Sequence, residues 1–186
     1  MRRLALAALL LAAASAHAQW SVAELFAMIA KDRPGRATFH ERKFMALLDR
    51  PLESTGELTF TPPDRLEKRT ITPRPERVTV DAERVTLERA GKRHSLGLRE
   101  NPGVAVLVES IRATLAGDLD ALTRAYTVAL DGTPAGWRLT LRPLDPAASQ
   151  LVERIHIAGE KARVRTVEIL QADGDRSVMS VTPVAP

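Results

Sequence analysis

The side chains best placed to do chemistry here are three histidines, His40, His94 and His156, and the acidic run Asp173-Gly174-Asp175-Arg176-Ser177. The histidines lie far apart. No cysteine occurs and no H-x-x-x-H spacing brings two imidazoles onto one helix face, so no zinc site is expected. The acidic run starts like a calcium loop. Its sixth position is Val178 where that loop needs Gly, and no Glu stands at the twelfth, so a hairpin turn is expected instead. There is no Gly-rich phosphate loop and no nucleophile-elbow serine. Carboxylates are plentiful, but no spacing joins two of them as an acid/base pair. The residues therefore predict no enzyme, no metal and no cofactor.

The N-terminus carries the clearest signal. Arg2 and Arg3 precede an apolar run from Leu4 to Ala14, and Ala16-His17-Ala18 is a small-x-small cleavage site. That is the pattern of a secretory signal peptide over residues 1–18, with the mature chain, 19–186, expected as one domain beginning at Gln19. The run is well short of the ~20 residues that span a bilayer. No Cys follows the site to take a lipid anchor. A freely diffusing protein outside the cytoplasm, in the periplasm, is expected. The chain has 27 Lys and Arg against 23 Asp and Glu; without Arg2 and Arg3 the two are nearly equal. Both signs are interspersed, with no basic block for nucleic acid.

The elements follow from periodicity. Ser21-Val22-Ala23-Glu24 is a capping box, with Trp20 and Leu25 at the staple positions. Val22, Leu25, Phe26 and Ile29 then mark one face of a short helix ending near Lys31-Asp32-Arg33, ahead of Pro34-Gly35. From Arg36 the period is two: Leu58 and Phe60, Val78 and Val80, Val85 and Leu87, Leu96 and Leu98. Turn residues break the series at Pro62-Pro63-Asp64, Pro73-Arg74-Pro75, Asp81-Ala82 and Ala90-Gly91. This predicts an antiparallel meander with one apolar and one charged face. Phe39 and Phe44 fall on opposite faces unless a bulge intervenes. After Asn101-Pro102-Gly103, helical spacing over Val104, Leu107, Val108, Ile111, Leu115, Leu119 and Leu122 predicts two helices, about 104–116 and 119–125, divided at Gly117-Asp118. Strands resume at Tyr126, with turn signals at Asp131-Gly132 and Asp173-Gly174. Parity puts Leu58, Phe60, Val80, Leu87, Leu98, Trp137 and Leu139 on the apolar face. It leaves open whether that face lines a cavity or is a filled core.

Gly56-Glu-Leu58-Thr-Phe60, Pro63-Asp-Arg65-Leu66, Pro73 and Val78-Thr-Val80-Asp81 resemble the early strands of LolA-type outer-membrane lipoprotein carriers. Leu115-Ala-Gly117-Asp118 with Leu122, Trp137-Arg-Leu139-Thr-Leu141-Arg-Pro143, and Asp173-Gly174-Asp175 resemble that family's second half. The resemblance implies a mainly β (α+β) fold: a curved antiparallel sheet forming an incomplete β-barrel, with an N-terminal helix and two central lid helices. It implies that Leu58, Phe60, Leu66, Val80, Leu87, Leu98, Trp137 and Leu139 line a lipid-binding cavity. Val104, Leu107, Val108, Ile111, Leu115, Leu119 and Leu122 would belong to the lid. The implied function is a monomeric carrier that takes an acylated lipoprotein or lipid-like ligand from an inner-membrane exporter to an outer-membrane acceptor. The alternative is a lipid-sensing or protein-interaction regulator on the same half-barrel. Two positions depart from the family pattern. Pro62 stands where the family has an Arg that holds its lid closed, with Arg65 nearby, and charged residues at Glu67–Arg69 replace an aromatic.

Overall fold

The capping box forms as the sequence predicts. Ser21 Oγ accepts from the Glu24 amide at 3.2 Å, and the Glu24 carboxylate accepts from the Ser21 amide at 2.8 Å. It starts α1 (Val22–Ile29), whose Leu25, Phe26 and Ile29 are buried. The structure, a computed structural model, describes residues 20–32 and 35–184. The expected signal peptide, and Arg33-Pro34 at the expected helix end, lie outside the described residues.

Six strands follow: β1 (Arg36–Phe44), β2 (Leu52–Thr61), β3 (Arg65–Thr72), β4 (Glu76–Asp81), β5 (Arg84–Arg89) and β6 (Lys92–Gly97). The helices α2 (Pro102–Ala116) and α3 (Leu119–Ala125) then lead to β7 (Tyr126–Thr133) and β8 (Gly136–Pro143). The one-turn α4 (Pro146–Ser149), β9 (Val152–Glu160), β10 (Arg163–Gln171) and β11 (Arg176–Pro183) complete the chain. All strands join one 11-stranded antiparallel sheet in the order β6-β5-β4-β3-β2-β1-β11-β10-β9-β8-β7. The sheet is not closed: β6 and β7 are its two edges, and α2 and α3 connect them. This is the incomplete barrel the family resemblance implies.

The turns obey their local chemistry in most places. Ala82 and Ala90 take positive φ with Gly91 following, and Gly174 turns β10 into β11. Asp118 caps α3 by accepting from the Ala121 amide at 2.8 Å. Gly117 ends α2 at φ 71°, and a Cβ there would lie 2.6 Å from the Ala30 backbone nitrogen. No side chain fits between the end of α2 and the end of α1 at that point. One turn lies elsewhere than expected. β7 runs through Asp131-Gly132, and the chain reverses at Pro134-Ala135. Pro134 has no amide to give a ladder and a φ suited to a turn, so it overrides the Asp-Gly signal. Phe39 and Phe44 do point to opposite faces, along a β1 whose register is unbroken.

The main core lies where α1 and α3 cover β7–β9. Leu25, Phe26, Leu122, Tyr126, Leu139 and Ile155 are among its buried members. Leu139 has no exposed surface, whereas Leu47 in the β1–β2 loop is 93% exposed. Leu139→Ala should therefore lower stability by about 2–5 kcal/mol through lost contacts and a residual cavity. Leu47→Ala should stay within about 0.5 kcal/mol of the parent. Urea midpoints of the two variants measure both.

Candidate functional site

Residues directly opposite one another in a sheet share a face. Two register rows therefore locate the inward surface. One runs Leu58, Lys68, Val78, Leu87 across β2–β5, beside Phe60, Leu66, Val80, Val85. The other runs Leu130, Leu139, Ile157, Val167, Met179, Glu41, Ser54 from β7 through β11 to β2. Leu139 and Ile157 belong to the main core, so the whole second row faces the helices.

The expected cavity residues gather on this face in two wings. Trp137 and Leu139 are buried in the main core with Leu122, and Leu107 and Leu119 pack against it. Val80 and Leu98 are buried with Val85 and Val108 in a second, smaller cluster, against which Leu66 and Val104 pack. Phe60 is buried, and Leu58 and Leu87 are half-buried in neither cluster. Between the wings, Leu58 on β2 and Met179 and Val181 on β11 are inward and half-buried. We call this half-buried apolar stretch of the inward face the trough.

The helix α2 has two working sides. At ~100° per residue, Val104, Val108, Ile111 and Leu115 form one stripe. Val108 anchors it against Val80, Val85 and Leu98, and Ile111 and Leu115 continue it half-buried. The opposite side is small and polar. Ser110, Ala113 and Thr114 are buried, with Ser110 Oγ donating to the Leu107 carbonyl and Thr114 Oγ1 to the Ser110 carbonyl, each at 2.7 Å. The expected apolar stripe is therefore divided: Val104 and Val108 meet the second cluster, and Leu107 packs against the main core. The most buried side is one that apolar periodicity does not mark, because hydroxyls bonded to their own helix can be buried without loss.

Two contacts hold α2 in place. Tyr126 Oη donates to the Val106 carbonyl at 2.7 Å, and burial pushes its phenol pKa up to about 12. Arg112, nearly buried, donates from Nε to the Asp64 carbonyl at 2.8 Å and lies 3.2 Å from the Asp64 carboxylate. An arginine thus joins the helix to the Pro62-Pro63-Asp64 turn, with the guanidinium on the helix and the acceptors on the turn. A hollow of about 310 Å³ beside this contact is lined by Pro63, Asp64, Glu109, Arg112, Ala113 and Asp118, among others. A wider open hollow of about 480 Å³ at the β3–β4 and β5–β6 ends is lined chiefly by charged side chains. Neither includes the half-buried apolar residues of the trough.

The trough floor also holds charge. Glu41 on β1 pairs with Lys68 on β3 and accepts hydrogen bonds from Ser177 Oγ at 2.7 Å and Ser54 Oγ at 3.3 Å. Burial opposes ionisation of Glu41. The Lys68 ammonium and the bonds from Lys68, Ser177 and Ser54 outweigh it, so the carboxyl titrates below the usual glutamate range. Lys68 Nζ also lies 4.9 Å from the Phe39 ring centroid, and that ring packs over Gly56, where a Cβ would strike both the ring and the Arg69 carbonyl.

Of the chemistry-bearing residues weighed first, His94 stands opposite Leu87 on the inward face but is exposed on the edge strand β6, and the others lie apart from the trough. His40 pairs with Glu53 at the surface, and His156 Nδ1 meets Thr140 Oγ1 at 3.1 Å on the other face of the sheet. Asp173 and Asp175 organise the β10–β11 turn, where Asp175 Oδ1 accepts from the Ala46 amide. Among the described residues, no three His, Asp or Glu are grouped to hold a metal ion.

The sequence model of the family described as outer membrane lipoprotein carrier protein LolA-like matches residues 12–183. The chain belongs to this family. None of the curated proteins matches it. Among solved structures it is similar to a LolA superfamily protein from Nitrosomonas europaea, at 9% identity and TM-score 0.48, over 90% of this chain and 94% of that one. It is similar to the lipoprotein LppX from Mycobacterium tuberculosis at 10% identity and TM-score 0.42, over 89% of this LolA-like chain and 99% of LppX. The Pseudomonas aeruginosa MucA/MucB complex matches at 13% identity and TM-score 0.45, over 89% and 58%.

Glu41, Ser54 and Arg112 were not singled out by the sequence, Ser177 was weighed only as part of a calcium-type loop, and Lys68 only within the charged stretch Glu67–Arg69. Parity with Phe39 and Leu66 was the one available hint that Glu41 and Lys68 point inward. Arg112→Met should speed hydrogen exchange of the α2 amides roughly tenfold relative to α1, as expected for loss of a charged hydrogen bond. Unchanged rates would show that the turn does not hold the helix. Because the folded Glu41 pKa is depressed, its stabilisation is complete above the unfolded value of ~4.3 and is lost as pH falls through the folded value. Glu41→Gln should therefore flatten the acid limb of stability in that window, as read by urea titrations at stepped pH.

Proposed function

We propose that this LolA-like protein is a periplasmic carrier. Residues 1–18 direct export, and residues 19–186 act as one carrier domain, a monomer that binds the acyl chains of a lipoprotein or lipid and moves them from inner to outer membrane. An inner-membrane exporter would load it and an outer-membrane acceptor would unload it. The observation that carries the reading is the apolar trough between the two clusters. Leu58, Met179 and Val181 on its floor and Ile111 and Leu115 on α2 are half-buried apolar groups on surfaces that otherwise face a core. Such groups gain from a covering hydrocarbon, and each CH₂ removed from water contributes about 0.8 kcal/mol. The family description supports the same role.

In this reading Phe60, Leu66, Val80, Leu87 and Leu98 form one wall, and Trp137 and Leu139 back the other from within the main core. The helix α2 is the lid, with Arg112 as the contact to be broken when it lifts. Its ionic attachment at the Asp64 turn, the only one of α2 among the described residues, suits a segment that must open locally while the main core stays folded.

Native mass spectrometry of the protein taken gently from a periplasmic extract should show an acyl-bearing ligand in stoichiometric amount. Leu58→Asp should cut the affinity for a fluorescent fatty acid by at least about tenfold, since a carboxylate would then lie against the chain. Its thermal midpoint should barely move. A protein that neither co-purifies with acyl ligand nor binds the fluorescent fatty acid would overturn the carrier role.

A further inference from the structure

One group of side chains does not suit a trough made only for hydrocarbon. Lys68, Ser54, Glu41 and Ser177 come from four adjacent strands, β3, β2, β1 and β11. At about 4.8 Å per strand they cross roughly 14 Å of the sheet. Their place is fixed by register. Glu41 stands in the row that contains Leu139 and Ile157, and Lys68 in the row that contains Leu58 and Leu87. An acyl chain running from one apolar wing to the other has to pass over them.

These groups are ordered but not sealed. The Lys68 and Glu41 side chains retain 29% and 19% of their exposure, so solvent still reaches the pair. Their hydrogen-bonding capacity is also unfilled. The Lys68 ammonium has three N–H groups. One engages Glu41, the Phe39 ring lies near the ammonium, and among the described residues Lys68 Nζ makes no other hydrogen bond. Glu41 accepts three hydrogen bonds, from Lys68, Ser54 and Ser177, against about four lone-pair positions on its two oxygens. Covering the group with bare CH₂ would strip its remaining water and give nothing in return, which is costly for charged groups. A neutral group that both donates and accepts would replace that water, bonding Lys68 with its lone pair and Glu41 with its hydrogen. A site built to hydrogen-bond a hydroxyl or amide discriminates strongly against the analogue without it.

We infer that Lys68, Glu41, Ser54 and Ser177 form a polar subsite in the trough floor, selecting acyl ligands with a neutral hydrogen-bonding group, a hydroxyl or amide, within the buried part of the molecule. This rests on the carrier reading and narrows its cargo. The subsite sets a position along the ligand as well as a chemistry, because the apolar wings on either side fix how much chain lies to each side of the polar group.

The test is displacement of a fluorescent fatty acid by stearate and by a series of monohydroxystearates differing only in hydroxyl position. At least one hydroxystearate should bind about tenfold more tightly than stearate, the effect of one or two added hydrogen bonds, and the preference should vary with position. Replacing the pair by Glu41→Leu with Lys68→Leu removes both charges together, an exchange that buried ion pairs commonly tolerate. That variant should bind stearate at least as well as the parent and lose the hydroxyl preference. Equal binding of the whole series by the parent would overturn the subsite and leave the carrier role standing. So would a preference that persists in the double variant. Binding of no fatty acid by the parent would overturn both.

Discussion

The antiparallel pairing of β1 with β11 is the contact on which the architecture turns. It joins residues 36–44 to residues 176–183. With every other neighbour joined by a hairpin or a short connection, that one long-range pairing makes the first and last strands the centre of the sheet. The edges then fall in the middle of the sequence, at β6 and β7. The connector between them must travel from one side of the curved sheet to the other, and α2 and α3 do so across its inward face. Helices crossing the inward face are in this sense a result of strand order. The sequence needs only to make the connector amphipathic and the inward residues apolar.

Where the connector crosses, its two sides divide the labour. Ser110, Ala113 and Thr114 are short enough for α1 and α3 to approach closely. The larger Val104, Val108, Ile111 and Leu115 are turned to the β2–β5 side. The main core is full and carries most of the buried apolar side chains. The second cluster is small. Most of the buried apolar packing thus lies in the β7–β9 half, and α2 meets the other half through Val108 and the Arg112–Asp64 contact.

Local chemistry made much of this legible in the sequence. The Ser21/Glu24 capping box, the Gly117-Asp118 divide and the period-two runs around Phe60 and Val80 are short-range rules, and the structure obeys them. The helix 119–125 and the meander from β4 to β6 were readable for the same reason. The Asp131-Gly132 turn was misplaced because Pro134, two residues on, makes the stronger demand on the backbone. The inward charge was hidden for a different reason. Glu41 and Lys68 look like ordinary wet-face residues until register brings Ser177, 136 positions from Glu41 along the chain, beside them. Periodicity assigns a face to a residue and assumes that charge belongs outside. Only the assembled sheet reveals where that assumption fails. Arg112 was hidden by the same logic, since a guanidinium next to an apolar stripe reads as a solvated helix flank.

The open edge of the sheet has a further consequence. An unpaired strand is a template on which other chains can add. β6 is six residues long, and its Lys92, Arg93 and His94 are exposed, with Arg93 drawn to Glu88 on the neighbouring strand. A short edge crowded with cations repels a second copy of itself. The sheet can therefore stay unclosed at β6 without that margin becoming a seed for polymerisation.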